Sequence, residues 1–529
     1  MTSTAALPPP GKIGGLSYSS GPGRWALAAT VLGSGIAALD STVVGIALPA
    51  IGRDFNVQEA SLQWVVDAYT LSLAGLLLLG GTLGDRYGRR KIFIIGTIWF
   101  ALASLLCGVA PDATTLILAR ALQGVGAALL TPGSLAILQA SFIPDDRSKA
   151  IGAWSGLGGL ATAIGPFVGG YLISAVSWRL VFFINLPVAA AVVAITARHV
   201  PESKAPDETG RLDIPGAISI TGALVGITYG LIAAPDAGWT SATVLGSLLG
   251  GVALLAAFLY IESHVKDPML PLNVFSSRQF SAANAVTFVV YAALGGILFL
   301  MPTVLQEAAG YSPLESGAAL LPVTAIMLLL SARSGALAAR IGPRLQMSAG
   351  PLVIAAGLLL LIRATGSGGY LVDVLPAVLV FGFGLSINVA PLTSTAMSAV
   401  PAEHSGIASA VNNDVARAAG LIAVAVLPVA AGITGDSYLH KDELATGFHH
   451  ALIISAIACV LGGLLAAATI RNPPRRRPRP GEAATQPAPA RSEISCTLDG
   501  PPLRCPGVSQ SAAGTTAGTA AGTTAAESG

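Results

Sequence analysis

The sequence predicts an all-α polytopic membrane protein with fourteen spanning helices, and three observations predict it. The 529-residue chain is 53% hydrophobic and 11% charged, with a mean hydropathy of +0.71; a soluble protein carries about 25% charged residues. The apolar residues fall into runs of about 20, the length that crosses a hydrocarbon core. The basic residues are one-sided. With the N-terminus on the cytoplasmic side, 23 of the 29 Lys and Arg fall in tails and cytoplasmic loops, and four (Arg53, Arg179, Arg363 and Lys441) on the opposite face, as positive-inside insertion requires.

Taken in order, the spans are expected at residues 25–48, 62–82, 92–110, 115–138, 150–174, 179–197, 213–235, 241–261, 281–305, 314–338, 347–365, 371–398, 405–433 and 449–470. Residues 1–24 are rich in Pro, Gly and Ser and lack a basic segment leading into a short apolar core. They read as a disordered cytoplasmic N-tail, not a signal peptide. Residues 471–529 open on the basic, Pro-rich "RNPPRRRPRP" and continue as an Ala/Gly/Thr/Pro tract. That composition suits an anionic inner leaflet and then a disordered cytoplasmic C-tail.

Between the tails there is an internal repeat. "GTLGDRYGRR" (81–90) returns as "GALAARIGPR" (335–344), an offset of 254 residues. Gly81, Leu83, Arg86, Gly88 and Arg90 match Gly335, Leu337, Arg340, Gly342 and Arg344, whereas Asp85 becomes Ala339. One copy follows span 2 and the other span 10. The chain therefore reads as two six-helix bundles, 25–197 and 281–470, with two inserted linker spans in 198–280. Internal repeats of this kind build many secondary transporters, with the substrate site between the halves.

The composition also excludes function classes. Only one Gly-Lys pair occurs, Gly11–Lys12, with no Ser or Thr after it, so there is no phosphate-binding loop for ATP. No G-x-S-x-G or H-E-x-x-H is present, and the six histidines lie near span ends or in loops. No enzyme activity, cofactor, metal or nucleic-acid partner is expected. Cys107 and Cys459 fall in spans as small buried apolar residues, and Cys496 and Cys505 in a tail where disulfides are not expected.

The stretch 80–91, "GGTLGDRYGRRK", is the densest charge in the chain. Anchoring on the cytoplasmic face explains its arginines but neither Asp85 nor the glycine spacing. "LDSTVVGIALP" (39–49) places Asp40 inside span 1, and a carboxylate in a membrane span is functional by default. "LARALQGVGAALLTP" (118–132) places Arg120 and Gln123 inside span 4. At 1.5 Å per residue, Arg120 lies roughly 9 Å and Asp40 about 12 Å from the outer span ends, a similar depth. "GPFVGG" (165–170) gives span 5 a Pro-weakened helix with a smooth glycine face.

These motifs, in this order and span placement, make residues 25–470 resemble the fourteen-span drug:proton antiporter branch of the major facilitator superfamily. The resemblance implies the major facilitator fold, with the two extra helices central. It makes Gly81, Asp85, Arg86, Gly88, Arg89 and Arg90 a cytoplasmic gate, with Asp85 pairing across the interface between halves. It implies a proton-coupling and substrate cavity that includes Asp40, Arg120 and Gln123, to which span position adds Asn284 and Asn388. Gly152, Gly165, Pro166, Gly169 and Gly170 match the antiporter helix motif, and favour export over import. The chain departs from the pattern at Gly45, where Asn is usual, and at Ala161, where Gly is usual. Asp414 and Arg417, three apart on one helical face, are expected to pair locally, and Asp67 and Glu307 to be solvated near outer span ends.

The expected function is secondary active export of small amphipathic or cationic compounds in exchange for protons, by alternating access. The expected partners are the lipid bilayer, a small-molecule substrate and protons; neither ATP nor nucleic acid is expected, and the transporter acts as a monomer. The expected location is the cell membrane, with both termini cytoplasmic. A dedicated exporter of one metabolite, a proton symporter of a nutrient and a transport-inactive sensor are the alternatives the same fold allows.

Overall fold

The computed structural model describes residues 15–204, 212–266, 268–366, 369–401 and 405–472. Residues 1–14 and 473–529, which hold most of both expected tails and Cys496 and Cys505, lie outside the described residues. The described chain is helical, without a strand, and fourteen of its helical segments are long and apolar enough to cross a membrane. They are α1 (Gly21–Phe55), α2 (Glu59–Tyr87), α3 (Arg89–Gly108), α4 (Ala113–Ser141), α5 (Pro144–Ala175), α6 (Leu180–His199), α7 (Ile214–Ala237), α8 (Ala242–His264), α9 (Arg278–Ala308), α10 (Pro313–Ile341), α11 (Pro343–Thr365), α12 (Tyr370–Ser398), α13 (Ala408–Ala430) and α14 (Lys441–Thr469). The protein is an all-α polytopic membrane protein.

The first span is longer than its apolar run. Ser20 caps it, its Oγ accepting from Gly23 N at 3.1 Å, with Pro22 in the first turn, a pairing that suits a helix start. The preceding residues are held in place: Leu16 N donates to Ser141 O at 2.7 Å, and Tyr18 N to Asp146 Oδ2 at 2.9 Å. Residues 15–24, expected in a tail, are thus ordered by backbone and carboxylate acceptors that the hydropathy of the segment does not report. Asp112 caps α4 through Thr115 N at 2.8 Å, which holds its carboxyl below the usual range. α10 breaks at Leu320, where Pro322 removes a backbone donor.

The two copies of the repeat fold alike. Gly88 and Gly342 both end a helix at positive φ, 116° and 92°, a conformation that favours glycine. After each turn, the next helix start is capped by a residue just past the last span of the same half. Glu202 accepts from Arg90 N at 3.0 Å and Lys91 N at 3.2 Å, and Asn472 Oδ1 accepts from Arg344 N at 3.0 Å. Arg90 also bonds Val200 O, one residue past α6, at 3.1 Å, and Arg344 bonds Ala467 O of α14 at 2.6 Å.

The inserted pair sits on the first half: Gly75 of α2 lies against Thr221 of α7, and the Trp64 and Tyr229 rings are 6.2 Å apart. α8 packs mainly on α7 and leaves most of its surface uncovered. Between described residues, every hydrogen bond joining the two halves lies at one end of the bundle. There Arg53 pairs with Glu307, Gln306 Nε2 donates to Ile46 O at 3.0 Å, and Glu59 N to Gly435 O at 3.1 Å. Tyr438 joins them by donating its hydroxyl to Val57 O, and burial pushes that hydroxyl's pKa above its usual value. Glu307, expected to be solvated, is instead the partner of Arg53, and its side chain is 19% exposed.

Candidate functional site

α1, α4 and α6 bring four polar side chains to one buried point. Asp40 faces inward from the middle of α1 and is fully buried, as is Gln123 of α4; Arg120 is 1% exposed. Arg120 Nη1 donates to Asp40 Oδ2 and, at 2.7 Å, to Gln123 Oε1. Gln123 Nε2 donates to Asp40 Oδ1 at 2.8 Å, closing the triangle. The depths expected from sequence thus become a direct ion pair, since Arg120 and Gln123 are one turn apart on the face of α4 turned to α1.

The sequence reading missed the fourth member. Asn185 Nδ2 donates to Asp40 Oδ1 at 3.0 Å and to Ser104 Oγ at 3.0 Å, and Ser104 in turn donates to Phe182 O at 2.9 Å. Its signal was an amide inside the apolar run "LVFFINLPV" (180–188). The Arg120 guanidinium also donates through Nε to Val65 O at 3.1 Å and lies 4.3 Å from the Tyr69 ring centroid. Two opposite charges, each hydrogen-bonded on several sides, offset one another's burial. The cluster is neutral as it stands, and a proton added to Asp40 leaves one uncompensated buried cation.

Tyr69 touches both this cluster, through Arg120, and a cavity. Its hydroxyl donates to Ala37 O at 3.1 Å, and Tyr69 and Ala37 both face a cavity of about 280 Å³ between the halves. The first half supplies most of the lining, including Ser34, Ser41, Thr131 and Trp154, and the second supplies Arg417 of α13. Asp40 and Gln123 are fully buried and are not among the described lining residues. Asn284 accepts from Asn412 at 3.1 Å inside the second half, and Asn388 is buried against Gly350. Neither lines the cavity.

The gate and helix motifs take distinct places. Asp85, near the end of α2, pairs with Arg89 at the start of α3 at 2.7 Å, within the same half, where the expectation was a partner across the interface. Gly81 leaves a 3.7 Å approach for Pro132 of α4, and Arg90 ties α3 to α6. In α5, Gly165 and Gly169 lie against Thr42 and Val43 of α1, and Gly170 against Pro313 and Leu314 of the other half. The Pro166 carbonyl meets Gly317 from α10, so the motif is a close crossing of α5 with both halves. Gly152 has nothing within 4 Å of its would-be Cβ. Gly45 faces Pro302 of α9 at 4.0 Å, so the position expected to carry Asn is a close contact between halves.

Two further expectations are corrected. Asp67 is fully buried, and neither carboxylate oxygen has a hydrogen bond among the described residues; α2 extends to Glu59, which carries Asp67 deeper than a span starting at 62 placed it. Asp414 and Arg417 form no ion pair among the described residues, although one helical turn separates them.

Comparison with known proteins agrees with this architecture. The family model described as Major Facilitator Superfamily matches residues 30–425. The puromycin resistance protein of Streptomyces alboniger is 37% identical over 458 residues, covering 84% of this chain and 90% of the relative. The tetracenomycin C resistance and export protein of Streptomyces glaucescens is 35% identical over 416 residues, covering 78% and 77%. Among solved structures, the peptide transporter POT in complex with sulfate aligns with a TM-score of 0.63 at 16% identity, covering 86% of this chain and 96% of that one; at that identity the likeness concerns the fold. A family match over most of the chain, fourteen helices long and apolar enough to cross a membrane, and relatives named for resistance and export lead to one conclusion: the chain is a membrane transporter belonging to the Major Facilitator Superfamily.

Proposed function

We propose that this transporter is a proton-driven exporter of small amphipathic compounds, including antibiotics, working by alternating access between its two six-helix halves. The observation that carries the reading is the buried Asp40–Arg120–Gln123–Asn185 cluster, whose guanidinium lies against the ring of Tyr69, a residue that also lines the cavity. A proton on Asp40 removes the counter-charge of Arg120, and relief of that buried cation favours a state in which it regains water. A compound pressing on Tyr69 touches the ring that covers the same guanidinium. The two events are thereby coupled through one contact. Export, not import, is supported by relatives whose names describe resistance and export. The contacts at the Arg53 end make this the state closed on the outer face if the basic loops lie in the cytosol, as positive-inside insertion favours.

One proton moving down 100 mV supplies about 2.3 kcal/mol, roughly a fiftyfold concentration ratio. The test uses inside-out membrane vesicles, energised by respiration and loaded with a pH-sensitive dye, challenged with a panel of lipophilic compounds. Proton release from the lumen on addition of a compound, lost in Asp40→Asn, supports antiport through Asp40. A release that survives Asp40→Asn moves the proton elsewhere, and no release with any compound overturns the antiport reading.

A further inference from the structure

We infer that the cavity between the halves selects aromatic organic anions, with Arg417 as the group that reads their charge; this rests on the efflux reading and names its substrate class. Among the described residues that line the cavity there is no Asp or Glu, and Arg417 is the one full charge. Its guanidinium makes no hydrogen bond or ion pair with any described residue, and Nε is buried without a partner. Asp414, three residues earlier on α13, neither pairs with it nor lines the cavity. Two buried acids of the first half are also outside the described lining: Asp40 is fully buried and accepts from Arg120, Gln123 and Asn185, and Asp67 is fully buried.

A cation entering this space therefore meets a like charge at Arg417 and no carboxylate among the described lining residues. An anion meets an unsatisfied guanidinium, whose planar donors suit a carboxylate or phenolate. The surroundings suit an aromatic body with few polar atoms. Trp154 and Tyr69 offer ring surface, Ala37, Ala38 and Leu73 apolar surface, and Ser41 an exposed hydroxyl. The Trp154 Nε1 is already committed to Ser34 Oγ at 2.9 Å, so its ring is fixed rather than free to turn away. Of the expected amphipathic or cationic compounds, the cationic ones have no acidic counterpart among the described lining residues.

The probes are 2-naphthoate and 2-naphthylmethylammonium, which share one ring system and differ in charge. Equilibrium binding of each tritiated probe is measured on the purified full-length protein in detergent. Removal of a charge-assisted hydrogen bond predicts a roughly tenfold or larger preference for naphthoate, abolished in Arg417→Gln. Arg417→Lys keeps most of the preference, and ammonium binding is no weaker in Arg417→Gln than in the parent. Arg417→Met replaces the Gln variant if that protein does not fold. Equal binding of the two probes, preference for the ammonium, a preference unchanged in the neutral variant, or no saturable binding of either probe each overturns the inference. Binding needs no proton gradient, so charge-selective binding without proton-coupled flux sinks the antiport reading alone. Proton-coupled export indifferent to Arg417 sinks this inference alone.

Discussion

Arg53 and Glu307 form an ion pair across the interface between the halves, and they are 254 positions apart, the same offset that relates the two copies of the loop repeat. The pair therefore joins equivalent positions of the two halves, one carrying the cation and the other the anion. Identical residues at such a pseudo-symmetric contact would repel or be indifferent. Divergence of the copies turned this contact into a clasp.

The clasp is exposed enough that its contribution is modest. The Arg53 side chain is 53% exposed, and pairs of this kind contribute about 0.2–1 kcal/mol. Arg53→Gln or Glu307→Gln is expected to raise the population open at this end by up to about fivefold. The readout is the labelling rate of a cysteine placed at Gly45, which faces Pro302. The swapped pair, Arg53→Glu with Glu307→Arg, should return the rate toward that of the parent. A swap that labels faster than either single variant would show that the clasp acts through other groups.

The buried pair behaves differently. Asp40→Asn leaves Arg120 without its counter-charge, and breaking a buried pair from one side costs about 3–5 kcal/mol. Arg120→Gln should cost a similar amount. The double variant is expected to be less destabilised than the sum of the two, because it leaves no buried charge. Melting in detergent measures all three. Additive losses would mean that the two side chains do not act as a pair.

Glycines of the α5 motif should separate into two classes. A Cβ at Gly169 meets Val43 of α1, and one at Gly170 approaches Leu314 Cα at 2.7 Å, so Ala at either costs about 1–3 kcal/mol as overpacking. Gly152→Ala meets nothing within 4 Å and is expected to be neutral or stabilising by up to about 1 kcal/mol through helix propensity. Thermal shifts of the three variants decide it. Equal sensitivity at Gly152 would point to a contact made only in another conformation.

The loop glycines are tested by the same measurement. Gly88→Ala and Gly342→Ala force a side chain into positive φ, which costs about 1–2 kcal/mol each. At Gly88 the Cβ also comes within 2.8 Å of the Glu202 carboxyl. Glu202→Ala removes the cap on α3 and should cost about 0.5–2 kcal/mol. An unchanged melting temperature in Glu202→Ala would show that the cap contributes nothing measurable.

Hydropathy and charge placement determined the fourteen spans, because lipid demands about 20 apolar residues per crossing whatever the partners are. The same logic marked Asp40 and Arg120, since charge inside a span is costly enough to be informative, and helix rise placed them at a common depth. Span position alone suggested Asn284 and Asn388, which the tertiary structure puts in the packing of the second half and not among the described lining of the cavity. What the sequence could not supply is which faces meet. Asn185 is 145 residues from Asp40, and Glu202 is 112 from Arg90. Periodicity assigns a residue to a helix face, but the neighbour of that face is chosen by packing of the whole bundle. For the same reason Asp414 and Arg417, adjacent on one helix, do not pair: α13 turns the guanidinium into the cavity, and only the meeting of α1, α2, α4, α5 and α13 creates that space.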